Sequence, residues 1–453
     1  MAEKPFDRES LVLLDEALRV LEDGFRGLPG DTPPIDLAPL RDVLLVAAER
    51  LRDNDPYHHP LYVGQMLKPP HPVARLAYTL ALWLNPNNHA FDGGRASSLM
   101  EQEAVAQIAR MFGWDTHLGH LCSGGTLANF EALWIARELR PGKAIAASTQ
   151  AHYTHERLSG VLGVPFRAIP VDQHGRMDMA ALEDRLRDGE VGTVVATLGT
   201  TGAGTVDPLH EILALRARHA FRLHVDAAYG GYFTLADNLD AETRRAFDAI
   251  PQADSIAVDP HKHGLQPYGC GCVLFRDVGV KHYYQHDSPY TYLGSSDPHL
   301  GEISLECSRP GAAAVALWTT QRMFPLTPGG GFARNLETGR EAALALHQAL
   351  ARDQRFAPLF LPQLDIVAWA VRADSASAAS ARARQVFQAA KERDLYLALA
   401  TFPRSMLESI APVVLWDADE IICLRACLMK PEHHEWMGEI LARLGAAADA
   451  CLA

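Results

Sequence analysis

The sequence predicts an α/β fold: a mostly parallel sheet in a large domain, followed by a small C-terminal α/β domain. Two observations carry this. First, short apolar or β-branched runs (Ala144–Ala147, Thr193–Leu198, Arg222–Asp226, Ser255–Asp259, Cys270–Phe275) are separated mainly by helix-length segments, the rhythm of βαβ units. Second, the Gly/Pro cluster Pro325-Leu-Thr-Pro-Gly-Gly-Gly331 punctuates the chain, and a second α/β pattern follows it.

The elements follow in order. In residues 1–58, Leu11, Leu14, Ala17 and Leu18 recur at helical spacing, as do Val43, Leu44 and Val46, and Pro29, Pro33 and Pro34 separate the two pieces. Such a segment has little core of its own and is expected to pack on another subunit. In the large domain, residues 59–328, Val105, Ile108 and Phe112 share a helix face that Gly113 ends. Helices are expected over Thr126–Glu138 and Leu209–His219. In the small domain, residues 329–453, the pattern gives a helix over 332–352, a strand over Asp365–Val371, an Ala-rich helix over 375–393, strands over 395–402 and 421–428, and a terminal helix from Glu432.

Composition narrows the function. The 453 residues are 48% hydrophobic, ample for a core, and the net charge is −13. The absence of any Lys/Arg run argues against nucleic acid and anionic membrane surfaces as partners. The charged N-terminus and the lack of an 18-residue apolar run argue against secretion and membrane spanning. Seven cysteines, an odd number, suit reduced thiols in the cytoplasm. Cys270 and Cys272 share a strand face, without a second ligand pair; they read as small core residues, as do Cys423 and Cys427, and no metal is expected.

The chemistry concentrates at strand ends. Asp226 closes the run leading into His224-Val-Asp-Ala-Ala-Tyr229, and Lys262 follows another in Asp259-Pro-His-Lys-His-Gly264. An aldehyde cofactor such as pyridoxal phosphate (PLP) needs this pair: a lysine amine to condense with the aldehyde, and a carboxylate to keep the pyridine nitrogen protonated. Upstream, Ser123-Gly-Gly-Thr126 opens a helix, where backbone N–H groups and the helix dipole favour a phosphate. Alone, that turn equally suits an ordinary strand–helix connection.

Four ordered segments resemble the PLP-dependent group II amino-acid decarboxylases, in particular the tyrosine/aspartate subgroup: Leu121–Asn129, Gln150-Ala-His152, Thr197-Leu-Gly-Thr-Thr-Gly202, and the Asp226/Lys262 pair. The resemblance implies PLP fold type I, which is aspartate-aminotransferase-like. It implies a cofactor site of Ser123, Gly124, Gly125, Thr126, Asn129, His152, Thr200, Asp226, Ala228, Asp259, His261 and Lys262. His152 would stack on the ring, with His155 a nearby competitor; Ala228 would lie under it, and His261 near the phosphate. Asp, rather than Asn, before Pro-His-Lys matches the subgroup, as does the substrate-side segment His58–Met66. His263 and Leu265 depart from its commonest forms. The segment His286–Ser296 resembles a catalytic lid, in which Tyr290 or Tyr292 would return a proton to the substrate carbon. For Arg309 three roles stay open, phosphate, carboxylate or structural, its fork suiting either anion. The family forms two-fold dimers, so a homodimer is expected.

The expected reaction is decarboxylation of an aromatic (tyrosine-like) or acidic L-amino acid, with Lys262, His152, Tyr290 and Tyr292 as the catalytic set. Two rivals stand beside it: a carbon–carbon lyase resembling sphingosine-phosphate lyase, and a non-catalytic α/β protein that binds a phosphate ligand.

Overall fold

The computed structural model describes residues 6–28, 35–285, 300–408, 410 and 413–452. Seven strands form the larger sheet: β1 (Leu118–Cys122), β2 (Ala144–Ser148), β3 (Phe166–Ile169), β4 (Val191–Thr197), β5 (Arg222–Asp226), β6 (Ser255–Val258) and β7 (Gly271–Phe275). Their order is β1-β7-β6-β5-β4-β2-β3. All neighbours from β6 to β3 run parallel, whereas β7 is antiparallel to both β6 and β1. Every residue of β2, β4, β6 and β7 is buried, as befits strands covered on both faces.

Register places the site. Thr197 pairs with Asp226, and Asp226 with Ala257. Strands β4, β5 and β6 therefore end at one edge, and the polar residues that follow them converge. Ligands in such sheets bind beyond the carboxyl ends of the strands.

The smaller sheet is antiparallel throughout, in the order β10-β11-β9-β8, from β8 (Phe356–Pro358), β9 (Ile366–Val371), β10 (Ala398–Pro403) and β11 (Glu420–Cys427). Helices Gly331–Arg352, Ala376–Lys391 and Met437–Leu452 accompany it. Leu61 and Val63, on the large-domain side of the expected boundary, pack in this smaller domain's core. The backbone explains why: Val63 N–H donates to Tyr396 O and Val63 O accepts from Cys427 N–H.

Helices Leu11–Asp23 and Leu37–Leu51 form where helical spacing predicts them, but neither buries a residue. Leu37, Val43, Leu44, Val46 and Leu51 are 55–69% exposed. Among the described residues, no helix is long and apolar enough to cross a membrane.

Candidate active site

The converging segments enclose a cavity of about 340 Å³. Of the twelve residues expected at the cofactor, eleven line it: Ser123, Gly124, Gly125, Thr126, Asn129, His152, Asp226, Ala228, Asp259, His261 and Lys262. Thr200 does not. Its hydroxyl is bonded to Thr205 Oγ1 at 2.7 Å, and Thr197 and Thr201 line the wall instead. Side chains in the Thr197–Gly202 turn are aimed by backbone rotation at Gly199 (φ +101°), which residue type alone does not reveal.

The glycine turn is tight for a physical reason. Gly124 has φ +156° and ψ 177°, a conformation essentially confined to glycine. A Cβ on Gly271, the first residue of β7, would lie 2.5 Å from Gly124 Cα. A Cβ on Gly125 would lie 2.7 Å from Asp259 Oδ2. Helix Gly125–Leu139 starts from this turn, so its first N–H groups, which have no intrahelical acceptor, open toward the cavity. Ser123 N–H donates to Glu306 Oε2 at 3.0 Å.

Asp226 is 4% exposed, with Oδ1 accepting from Ala228 N–H at 3.1 Å and Oδ2 lying 2.8 Å from His155 Nε2. Burial alone would raise its pKa; the His155 hydrogen bond and charge outweigh that and hold it well below the usual carboxylate range. His155 is thus not a ring-facing alternative to His152. Lys262 Nζ lies 3.1 Å from Asp259 Oδ2. His152 lines the cavity with Nδ1 held by the hydroxyl and the N–H of Thr154, which leaves its proton on Nε2. Burial lowers the His152 and His261 pKa values, keeping the imidazoles neutral. Behind the wall, His224 is bonded to Asn129 Oδ1 at 2.7 Å and Ser255 Oγ at 2.9 Å, and burial pushes its pKa down to about 3.

Arg309 does not line the cavity, and of its three candidate roles the structural one fits its contacts. It is buried against Glu101 (2.7 Å), which also accepts from Leu121 N–H (2.9 Å), so the pair anchors β1 just before the glycine turn. His263, the departure beside Lys262, bonds Asp365 at 2.8 Å, and that carboxylate also accepts from Tyr229 OH at 2.7 Å. Tyr229 lines the cavity, so this network joins its wall to the loop before β9. Cys270 and Cys272 are buried, and burial raises their pKa values. Tyr290, Tyr292 and the rest of 286–298 lie outside the described residues.

Sequence reasoning missed Arg425. This buried arginine on β11 donates to Thr201 O at 2.9 Å and Gln65 Oε1 at 2.6 Å, and its Nε has no partner among the described residues. The available signal was a lone arginine in the apolar run Ile421-Ile-Cys-Leu-Arg-Ala-Cys-Leu428.

This donor set fits PLP: an amine, an ionised buried carboxylate, a flat imidazole and a glycine cradle at a helix N-terminus share one cavity, with His261 Nδ1 and Asp259 Oδ1 buried and unpartnered among the described residues. Comparison with known proteins agrees. Residues 136–372 match the pyridoxal-dependent decarboxylase conserved domain. The chain is 30% identical to an L-tyrosine decarboxylase of Enterococcus faecium, over 67% of this chain and 68% of that one. It is 34% identical to a probable L-aspartate decarboxylase of Halobacterium salinarum, over 56% of this chain and 71% of the relative. Against a second tyrosine decarboxylase, from Levilactobacillus brevis, it spans 63% of the relative's length at 28% identity. Among solved structures, mouse CSAD superposes with a TM-score of 0.79 at 20% identity, covering 96% of this chain and 91% of that one. Oryza sativa TDC with PLP and tryptamine gives 0.77 at 18% identity, covering 99% of each. The chain belongs to the pyridoxal-dependent decarboxylase family. It is a PLP-dependent amino-acid decarboxylase.

Proposed function

We propose that the chain decarboxylates an L-amino acid with a neutral aromatic, tyrosine-like side chain, releasing the amine and CO2. The observation that carries this reading is the single cavity shared by Lys262, Asp226, His152 and the Ser123–Thr126 turn. Bound PLP supplies an electron sink for the pair left on Cα when the carboxylate departs. Around it, Lys262 would hold the aldehyde, the first N–H groups of the helix would hold the phosphate, and Asp226 would keep a proton on the ring nitrogen. His152 would cover the ring and exclude water. Arg425 does not line the cavity; it would steady the wall from behind by holding the carbonyl of Thr201, which does. Tyr290 or Tyr292 would return the proton to Cα.

Two features favour an aromatic side chain over an acidic one. No arginine lines the cavity among the described residues, and Asp226 and Asp259 would repel a second carboxylate. The aspartate decarboxylase relative keeps the acidic class as the second reading. Amine and CO2 release across the standard amino acids decides: turnover of tyrosine, tryptophan or phenylalanine is expected, and activity confined to aspartate or glutamate would reverse the assignment.

The same reading includes a homodimer in a reducing compartment. It is supported by the uncovered apolar faces of the two N-terminal helices and by seven cysteines without a disulfide. Light scattering on the active enzyme tests the assembly; a fully active monomer would refute it.

A further inference from the structure

The helix Thr154–Val161 begins beside the cavity and carries a histidine that the reaction scheme above does not use. His155 is fully buried and does not line the cavity, so it touches neither substrate nor cofactor. Its Nε2 lies 2.8 Å from Asp226 Oδ2. Its Nδ1 is buried with no partner among the described residues. We propose that His155 is a positioning residue for decarboxylation: by donating Nε2–H to Asp226 it fixes that carboxylate's plane and keeps it ionised toward the cofactor.

This inference rests on the reading that Asp226 serves the ring nitrogen. Asp226 can do so only as an anion, yet it is nearly sealed from water, which favours the neutral acid. Two protein donors oppose that tendency, Ala228 N–H on Oδ1 and His155 on Oδ2. The backbone donor is present whatever the side chains; the imidazole is the donor supplied by a side chain. The ionised carboxylate has no proton to give, so Nε2 carries the hydrogen of this bond. A buried ring nitrogen without a partner is uncommon, and here the ring is oriented by Asp226 rather than by a bond on its other side. The position is coupled to the cavity by the backbone: His155 N–H donates to His152 O at 3.0 Å. One turn of chain thus sets His152 at the cavity and His155 behind Asp226. Of the influences that lower the Asp226 pKa against its burial, the His155 hydrogen bond and charge come first, ahead of Lys262.

The test compares His155→Gln, His155→Asn and His155→Phe. A Gln amide nitrogen falls near Nε2 of the replaced ring, an Asn amide nitrogen near Nδ1. The two are alike in polarity and in tolerance by the fold, and only Gln reaches Asp226. Three quantities are read: PLP dissociation constants of the stripped proteins, absorbance spectra of the reloaded ones, and kcat and KM separately. Gln is expected to stay near the parent. Asn and Phe are expected to bind PLP about tenfold or more weaker, the scale of one hydrogen bond to a charged group, with a shifted absorbance band. Their kcat should fall by a similar factor at nearly constant KM. In an Asp226→Ala background, His155→Asn should change PLP affinity no further. Parent-like affinity and spectrum in Asn, or equal loss in Gln and Asn, would overturn the proposal. If Asp226→Ala itself turns over normally, the underlying reading of Asp226 fails instead.

Discussion

Replacing Asp226 by Asn changes a charge with almost no change in volume, so it isolates what the carboxylate does. Two opposite unit charges about 4 Å apart in a medium of effective dielectric about 20 attract by about 4 kcal/mol. If the reaction depends on that attraction to keep the ring nitrogen protonated, kcat should fall about a thousandfold, since each ~1.4 kcal/mol is a factor of ten. The glycine turn and Lys262 are untouched, so the variant should still bind PLP and still be yellow, with KM little changed. There is also a structural cost. Oδ1 and Oδ2 each accept an N–H, from Ala228 and His155. An Asn amide must turn its own NH2 toward one of them, leaving a buried donor unsatisfied at a cost of about 1–3 kcal/mol. Amine release at saturating substrate and PLP, with a thermal melt of the same preparation, measures both effects. A kcat within tenfold of the parent in a yellow, folded variant would refute the electrostatic argument.

Other expectations follow from single residues. Gly124→Ala forces a side chain into a glycine-only backbone conformation and places its Cβ 3.2 Å from His261 Cε1; PLP affinity should drop by about tenfold or more, corresponding to the ~1–3 kcal/mol strain of such a conformation, and unchanged equilibrium dialysis would contradict this. The His224 pKa falls from its ordinary 6.5 to about 3 in the fold. As pH drops through that window the unfolded chain binds a proton that the folded chain refuses, so stability is lost by at most about 1.4 kcal/mol per pH unit from this group. Urea unfolding from pH 7 to 4 should therefore show a shallower pH dependence in His224→Gln, and identical slopes would remove His224 from the account. Of Tyr290→Phe and Tyr292→Phe, one should nearly abolish amine release while PLP remains bound; parent rates in both would transfer the proton donation elsewhere, with His152 the next candidate.

Strand-end chemistry was legible because it breaks a pattern: a polar residue that follows a short apolar run must either leave the sheet or serve it. Arg222–Asp226 was delimited to the residue for that reason, and β4 and β6 nearly so. β1 and β3 carried weaker signals. Leu118-Gly-His-Leu-Cys122 mixes glycine and histidine into its run, and Phe166-Arg-Ala-Ile169, an edge strand, buries only Ile169. The polarity of β7 was hidden as well, since direction depends on how a strand is reached and not on its composition. Thr200 and Thr201 are chemically identical neighbours, and only the backbone at Gly199 decides which one faces the cavity. Arg425 comes from the other sheet, and its arrival is a property of domain packing. The fork of Arg309 suited a phosphate, a carboxylate or a structural partner alike, and the anion it meets is the structural one, Glu101.

That last correction points to the rule by which this site is assembled. A buried ion without a partner costs several kcal/mol, and removing one partner of a pair is worse than never having had either. The described site obeys this: Arg309 is matched by Glu101, Lys262 by Asp259 and Asp226 by His155. The three pairs differ in what they leave free. Arg309 and Glu101 also bind the backbone around Leu121, so the pair is committed to holding β1. Asp259 keeps Oδ1 unpartnered among the described residues and has the neutral His261 ring, Nε2 at 3.5 Å, as a second neighbour. Lys262 is thus held through one oxygen of Asp259, while the other oxygen is left free among the described residues. Asp226 has both oxygens engaged by the protein, yet each oxygen retains accepting capacity, and its charge is still available to the cavity it lines. The pairs thus separate by role: one locks the scaffold, one holds the amine that must react, and one keeps a negative charge in place for the ring nitrogen.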